Sequence, residues 1–319
     1  MKKFLRFLLL FLLITVIAGV ATVAIFLKTK LNKINYENVT EKDIEINEGV
    51  EEVLTGYTNI ALLGLDAQDA TFTNSRSDCI MLISINNVTK DVKIVSVYRD
   101  TYLDIEGYGL DKVNHAYAYG RAPVALSTIN KNLDLDITKY VTIDFDSVIN
   151  IVDAIGGVEI TLTNAETSQV TGISGAGTYN LTGKQALEYG RIRKIDTDYA
   201  RTERMRNVVI KVFEKAKTLS LAQLNSLIDD LLPEVTTNVN QAEIISYASK
   251  ITSYNVTDSF GWPYEVKGYT GAAWYAAPVT LELNVKQLHE ELFENEEYEV
   301  SETVKTISQS IINRTGYRK

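Results

Sequence analysis

The sequence predicts an α/β fold: a three-layer αβα sandwich with a central mixed sheet, preceded by one transmembrane helix. Three observations carry that expectation. Short apolar runs bounded by turn formers or charged residues read as strands. Stretches with a 3.6-residue apolar period alternate with them and read as helices. Residues 7–27 form a run of 21 residues without a charge. Strands interspersed with helices favour one sheet covered on both faces.

Taken in order, the apolar run comes first. At 1.5 Å per residue its helix would be about 31 Å long, close to the hydrocarbon thickness of a bilayer. A cleaved leader is the competing reading, with Val16 and Ala18 placed for a cleavage site. The run continues well past Ala18, however, whereas a leader's apolar core is only about 7–15 residues. Residues 1–6, with Lys2, Lys3 and Arg6, are expected in the cytoplasm and residues 7–27 as the anchor. Residues 28–55 are expected as a polar, acidic extracellular stalk, 56–283 as the main domain, and 284–319 as a helical extension packed on it.

Within the domain, strands are expected at 59–65, 79–86 and 92–98. A helix follows at 123–133, with Pro123 in its first turn. A strand at 140–144 leads into a helix at 146–155, ended by Gly156-Gly157, and a strand at 158–162. Thr182 caps a helix at 183–189. A longer helical pattern spans 201–219, with others at 221–231, 241–251, 285–293 and 301–312.

Charge distribution excludes one class of partner. The 319 residues carry 32 Lys+Arg against 41 Asp+Glu, a net charge of −9. Six of the basic groups lie within residues 1–33, where there is no acid, leaving 26 basic against 41 acidic residues beyond, a balance of −15. A body that acidic repels phosphate backbones, so no nucleic acid partner is expected. A single cysteine, Cys79, excludes an internal disulfide, and two histidines make a His-rich zinc centre unfavourable.

The chemistry concentrates in arginines and aspartates. Ten arginines follow residue 27, and five of them fall within sixteen residues: Arg191, Arg193, Arg201, Arg204 and Arg206. One reading is a solvated helix face with pairs such as Asp198 and Arg201. Yet lysine is largely absent from the cluster, and arginine's planar fork suits bidentate contact with phosphate or carboxylate. Asp66 and Asp78 stand at strand ends, where α/β folds bind ligands, and Arg99-Asp100 ends a third strand. Two carboxylates without histidine suit a hard cation, Mg²⁺ or Mn²⁺, bridged by phosphate oxygens. Aspartates are also common in turns, so the pair alone is not specific. Cys79 reads as a core strand residue and His115 as structural rather than acid–base, while nothing assigns a role to His289. Most of the 18 tyrosines read as half-buried strand residues, with stacking on sugars as the alternative for a few.

Seven motifs, in order, then carry a resemblance: NIALLGLD, RSDCIMLISI, IVSVYRD, DKVNHAYAYG, YVTIDFDSVINIVDAIGGVEI, LTGKQALEYGRIR and DTDYARTERMR. Together they cover most of residues 59–219, and the chain resembles the LytR-CpsA-Psr proteins of bacterial cell envelopes. The resemblance implies a membrane-anchored phosphotransferase with its catalytic domain outside the cell. Its substrate is a polyprenyl-pyrophosphate-linked glycan, such as teichoic acid or capsule, and its acceptor is peptidoglycan, usually the 6-hydroxyl of N-acetylmuramic acid. It also implies metal binding by Asp66 and Asp78, a pyrophosphate site lined by Arg76, Arg99, Arg191, Arg193 and Arg201, and catalytic roles for Arg99, Asp198 and Arg201. Met205 departs from the pattern, standing where an Arg-x-x-x-Gln motif has glutamine. A polyprenyl tail requires an apolar groove, for which residues 149–155 and 208–213 are candidates. Two alternatives remain: a pyrophosphatase acting at the same site, or a non-catalytic envelope regulator, as the family's old label of transcriptional attenuator suggests.

Overall fold

In the computed structural model, described for residues 35–37, 39–66, 75–220, 223 and 235–318, the chain builds one seven-stranded mixed sheet and three two-stranded hairpins. The chain begins with β1 (Asn35–Tyr36), α1 (Val50–Val53), β2 (Tyr57–Leu65), β3 (Ser77–Asn86) and β4 (Asp91–Val97). Next come the hairpin strands β5 (Tyr102–Ile105) and β6 (Gly109–Lys112), then α2 (His115–Leu133), β7 (Lys139–Asp144), α3 (Phe145–Ala154) and β8 (Val158–Leu162). α4 (Asn164–Thr167), β9 (Gly177–Leu181), α5 (Gly183–Gly190) and α6 (Asp198–Ala216) follow. The chain closes with β10 (Thr236–Thr237), α7 (Gln241–Ser249), β11 (Asn255–Trp262), β12 (Val266–Thr270), β13 (Trp274–Pro278), α8 (Leu281–Phe293) and α9 (Glu302–Thr315).

The sheet order is β1-β10-β7-β2-β3-β4-β11. β3 runs antiparallel to β2 and β4, β7 is parallel to β2, and β11 is parallel to β4. The carboxyl ends of β2, β4, β7 and β11 therefore meet the amino end of β3 along one edge, which carries the site described below. The near-continuous apolar run of β3 follows from cover on both faces. Leu63, Ile80, Leu82 and Val95 pack against α2, α8 and α9 in the main core. Residues of opposite parity, among them Leu62, Cys79, Met81 and Ile94, pack against Val209 and Phe213 of α6 and Tyr247 of α7. A second, smaller core joins α3, the β8–β9 hairpin and α5 to Val208 of α6.

Local signals explain most boundaries. Asp144 caps α3 by accepting from the Ser147 amide, and Thr182 forms a capping box with Gln185 at α5. Asp153 of α3 accepts from the Gly183 amide at 2.7 Å, tying the two helices together. α2 begins eight residues before the expected start because a short segment from His115 precedes a kink at Gly120–Arg121. A Cβ on Gly120 would meet Val124 Cγ2 at 2.1 Å, so the kink needs glycine. Pro123 opens the segment after it.

Several elements were not anticipated. β11 is a half-exposed edge strand, and β5, β6, β9, β12 and β13 are short hairpin strands. The described part of the segment expected as a stalk also joins the body. β1 pairs with β10, and Ile44, Val50 and Leu54 are buried in the main core. Asn47 Nδ2 donates to Asp134 at 2.6 Å and to Ser301 Oγ at 3.3 Å. The expected membrane anchor, residues 7–27, lies outside the described residues, as does the expected helix 221–231 apart from residue 223. Among the described residues no helix is long and apolar enough to cross a membrane.

α8 contributes His289, fully buried and stacked on Tyr298 with ring centroids 3.6 Å apart. Its Nε2 donates to the Leu133 carbonyl at 3.0 Å, and Nδ1 has no hydrogen-bond partner. Burial lowers its pKa from 6.5 to about 4. The unfolded chain therefore takes up a proton near pH 6.5 that the folded chain refuses until about pH 4. The associated stability, about 3 kcal/mol, is complete above pH 6.5 and lost as pH falls through 4. Melting temperature should fall between pH 6.5 and 4, and His289→Gln should flatten that fall. An unchanged slope in the variant would assign acid sensitivity elsewhere.

Candidate active site

The carboxyl edge of the sheet collects charge because several strands end there together. Asp66 follows β2, Asp78 opens β3, and Arg99-Asp100 follows β4. Asp78 is the hub: its Oδ2 accepts from Arg99 Nη1 at 2.7 Å and its Oδ1 from Asn114 Nδ2 at 3.1 Å. Arg99 Nε lies 3.4 Å from Asp198 Oδ2 and 3.6 Å from Asp100 Oδ2. The same Asp198 oxygen accepts from Arg201 Nη2 at 3.0 Å. Lys112 Nζ completes the set at 2.6 Å from Asp100 Oδ1. Two arginines, two aspartates and their outer partners thus form one network across four chain segments.

The two guanidiniums differ electrostatically. Burial alone would depress Arg99, but Asp78, Asp198 and Asp100 together hold its pKa above the ordinary value. For Arg201 burial wins: its pKa is lowered, Asp198 opposes the shift, and the neighbouring charges of Arg99 and Arg193 add to it. Arg201 is 3% exposed, and its Nε has no hydrogen-bond partner. A buried cation short of an acceptor and crowded by like charge is set up to receive an anion.

Of the sequence-derived candidates, Asp78, Arg99, Asp198 and Arg201 meet directly. Arg193 is exposed and close enough for its charge to be felt at Arg201. Arg191 is exposed, with its guanidinium 4.7 Å above the Phe145 ring. Arg76 is exposed between Asp66 and Asp78, and its carbonyl accepts from both their amides. Asp66 is exposed at the end of β2. Lys112 and Asn114 were missed, although both fall within the DKVNHAYAYG motif. A lysine beside an aspartate and an asparagine at a helix start carry no distinguishing signal on their own.

The solvated-face reading of the arginine cluster is overturned, because Arg201, Arg204 and Arg206 are 3%, 5% and 7% exposed. Arg204 grips both oxygens of Asp196 at 2.6 and 2.7 Å and the Ile192 carbonyl at 3.0 Å. It thereby folds the segment carrying Arg191 and Arg193 onto α6. Arg206 donates to Ser96 Oγ on β4 at 3.1 Å, fixing the helix to the sheet. Cys79 is buried and its thiol is pushed up to about 12 by burial, so it offers no thiolate.

Apolar space adjoins the charged edge on the α6 side. A cavity of about 50 Å³ is lined by Gly64, Cys79, Phe145, Val148, Arg191 and Met205, among others. A larger one, about 460 Å³, lies further along between the sheet and α6–α7, lined by Ile60, Ile83, Val209, Phe213 and Tyr247. Val209 lines both. The 208–213 segment therefore lines this space, whereas Val152 and Ile155 of the other candidate run pack into the smaller core.

The donor set suits a hard cation. Asp66 and Asp78 offer carboxylate oxygens at adjoining strand ends, and the buried Asn114 Oδ1, on the amide that donates to Asp78, lacks a partner. Among the described residues no three His, Cys, Asp or Glu side chains converge. A cation here would therefore complete its shell with phosphate oxygens and water, as Mg²⁺ commonly does.

A family model described as LytR_cpsA_psr matches residues 21–292. The chain is 30% identical over 224 residues to the polyisoprenyl-teichoic acid–peptidoglycan teichoic acid transferase TagT of Bacillus subtilis (strain 168), covering 66% of this chain and 70% of that one. It is 35% identical over 202 residues to the corresponding transferase TagU of Bacillus cereus (strain AH820), covering 62% and 66%. The crystal structure of B. subtilis TagT superposes with a TM-score of 0.61 at 25% identity, covering 82% of this chain and 99% of that one. The family match spans most of the sequence, and the chain belongs to the LytR-CpsA-Psr family.

Proposed function

We propose that the protein transfers a glycopolymer from a polyprenyl-pyrophosphate carrier to peptidoglycan, with a divalent cation, Mg²⁺ or Mn²⁺, assisting. The observation that carries this reading is the Asp78–Arg99–Asp198–Arg201 network beside an apolar cavity: a place for a pyrophosphate next to a place for a lipid tail. Relatives at 30% and 35% identity bear names that state this transfer for teichoic acid.

The chemistry follows from charge. A pyrophosphate repels nucleophiles through its own anionic oxygens, so catalysis consists largely of positioning and neutralisation. Arg99 and Arg201, preset by Asp78 and Asp198, face the phosphates with little reorganisation. Arg191 and Arg193, held by the Arg204 clamp, add charge beside them. The acceptor hydroxyl oxygen bonds the glycan-bearing phosphorus, and the phosphoanhydride bond breaks. Polyprenyl phosphate leaves with the electron pair, and the hydroxyl proton passes to solvent. Asp66 and Asp78 would hold the cation, which when bound neutralises charge on the phosphates. No side-chain nucleophile is needed.

The domain would act outside the cell, tethered by a single span at residues 7–27. Protease added to intact protoplasts should digest the domain; complete protection would overturn this topology.

Two further measurements test the site. Arg193→Lys keeps charge but loses the fork. Losing one preorganised contact to developing charge costs about 2.7–4 kcal/mol, so turnover should fall roughly 100–1000-fold at unchanged melting temperature. Arg201→Lys should lose as much turnover and also some stability, since its side chain is buried. Arg204→Lys should lower melting temperature through loss of the Asp196 clamp. Small, equal effects at all three positions would refute the site.

For the cation, the double variant Asp66→Ala/Asp78→Asn should bind Mg²⁺ at least tenfold more weakly by calorimetry in the presence of octaprenyl pyrophosphate. Unchanged affinity would remove both aspartates from the metal site.

A further inference from the structure

An exposed aromatic pair stands on the α2 side of the charged edge. Tyr108 occupies the tip of the β5–β6 hairpin, between Gly107 and Gly109, whose φ angles of 75° and 71° make the tight turn. Its ring stacks on Tyr119 of α2 with centroids 4.2 Å apart and planes 9° from parallel. The two residues are 55% and 38% exposed. Large flat rings in mutual contact and open to water form a surface suited to a ligand. They are also held rigidly: Tyr119 Oη donates to Asp111 Oδ2 at 2.6 Å, and His115 Nδ1 meets the same oxygen at 2.9 Å.

The pair adjoins the active site through one short segment whose side chains alternate. Lys112 and Asn114 reach Asp100 and Asp78, whereas Asp111 and His115 turn to Tyr119. Arg76, between Asp66 and Asp78, is close enough for its charge to be felt at Tyr119. A ligand lying on the tyrosines therefore passes Arg76 on its way to Asp78 and Arg99.

Direction identifies the occupant. Displacement at phosphorus places the entering and leaving oxygens roughly in line. The leaving polyprenyl phosphate belongs to the apolar cavity on the α6 side of the sheet, so the entering hydroxyl arrives from the opposite side, where the tyrosines stand. Pyranose rings present flat C–H faces that pack on aromatic rings, and their hydroxyls suit polar neighbours such as His115 and Asp111.

We propose that the Tyr108–Tyr119 stack, with His115 and Arg76 beside it, is the subsite that receives the acceptor, a peptidoglycan strand of N-acetylated amino sugars. This rests on the transferase reading above and adds where the acceptor lies.

The test uses the full 319-residue chain in detergent, with un-cross-linked peptidoglycan glycan strands as one probe and octaprenyl pyrophosphate as the other. Tyr108→Ala, at a hairpin tip, should leave the melting temperature and octaprenyl pyrophosphate affinity unchanged. It should weaken glycan-strand binding at least tenfold and raise the acceptor KM without lowering kcat, and Tyr108→Trp should restore both. Unchanged glycan binding in Tyr108→Ala and Tyr119→Ala, with the lipid pyrophosphate still bound, overturns the subsite and leaves the transferase reading intact. A rise in donor KM instead would assign the tyrosines to the donor's own polymer and overturn the acceptor assignment. Failure of the wild-type chain to bind octaprenyl pyrophosphate would defeat the transferase reading itself.

Discussion

The Asp78–Arg99 ion pair is the contact on which the functional architecture depends. It joins the start of β3 to the end of β4, and Asp198 extends it to α6 through Arg201. Asp78, Arg99 and Arg201 would not be stable singly at such low exposure, because a buried charge without a partner carries a desolvation cost of several kcal/mol. Together they leave polar valence unspent: Arg99 Nε, Arg201 Nε and Asn114 Oδ1 have no hydrogen-bond partner. The network is thus compensated enough to fold and open enough to bind.

Helix α6 shows why arginine predominates in this segment. Arg201 faces the charged edge, Arg204 clamps the preceding loop, and Arg206 reaches Ser96 across the sheet. Each task needs a long side chain with several donors in fixed directions while most of its length is buried. A lysine offers a single ammonium that is more strongly hydrated and harder to bury. Arg201 and Arg204, three residues apart, are neighbours on the helix and Arg206 points away from them, and this is how one element can position the site, its approach loop and itself.

Much of this was legible beforehand, for identifiable reasons. Strands such as β2, β3 and β4 announce themselves because both faces are covered and their central residues are largely apolar. Thr182 and Gln185 encode the start of α5 in four residues. The aspartates and most arginines of the site were readable because their motifs recur in a known order. What stayed hidden was non-local. β11, with its polar, half-exposed sequence, is a strand only because β4 pairs with it. Asn114 and Lys112 matter through what β3 and β4 bring to them. The burial of Arg204 depends on Asp196 folding back, which no periodicity encodes. Residues 28–55 read as a stalk because they are polar and acidic, yet Ile44, Val50 and Leu54 are buried in the main core.

That docking has a consequence for reach. β1 is stitched to β10, Glu37 accepts from Tyr140 Oη at 2.5 Å, and Asn47 is knotted to Asp134 and Ser301, so the described residues are docked on the folded body from Asn35. Under the anchor proposed above at residues 7–27, the leash between bilayer and body would be residues 28–34 alone. However they are arranged, seven residues span at most about 25 Å. Such a leash would hold the body in a thin shell above the lipid headgroups. In that shell a carrier with its tail in the same leaflet would meet the body by diffusion in two dimensions, and the acceptor strand would have to come down to the membrane.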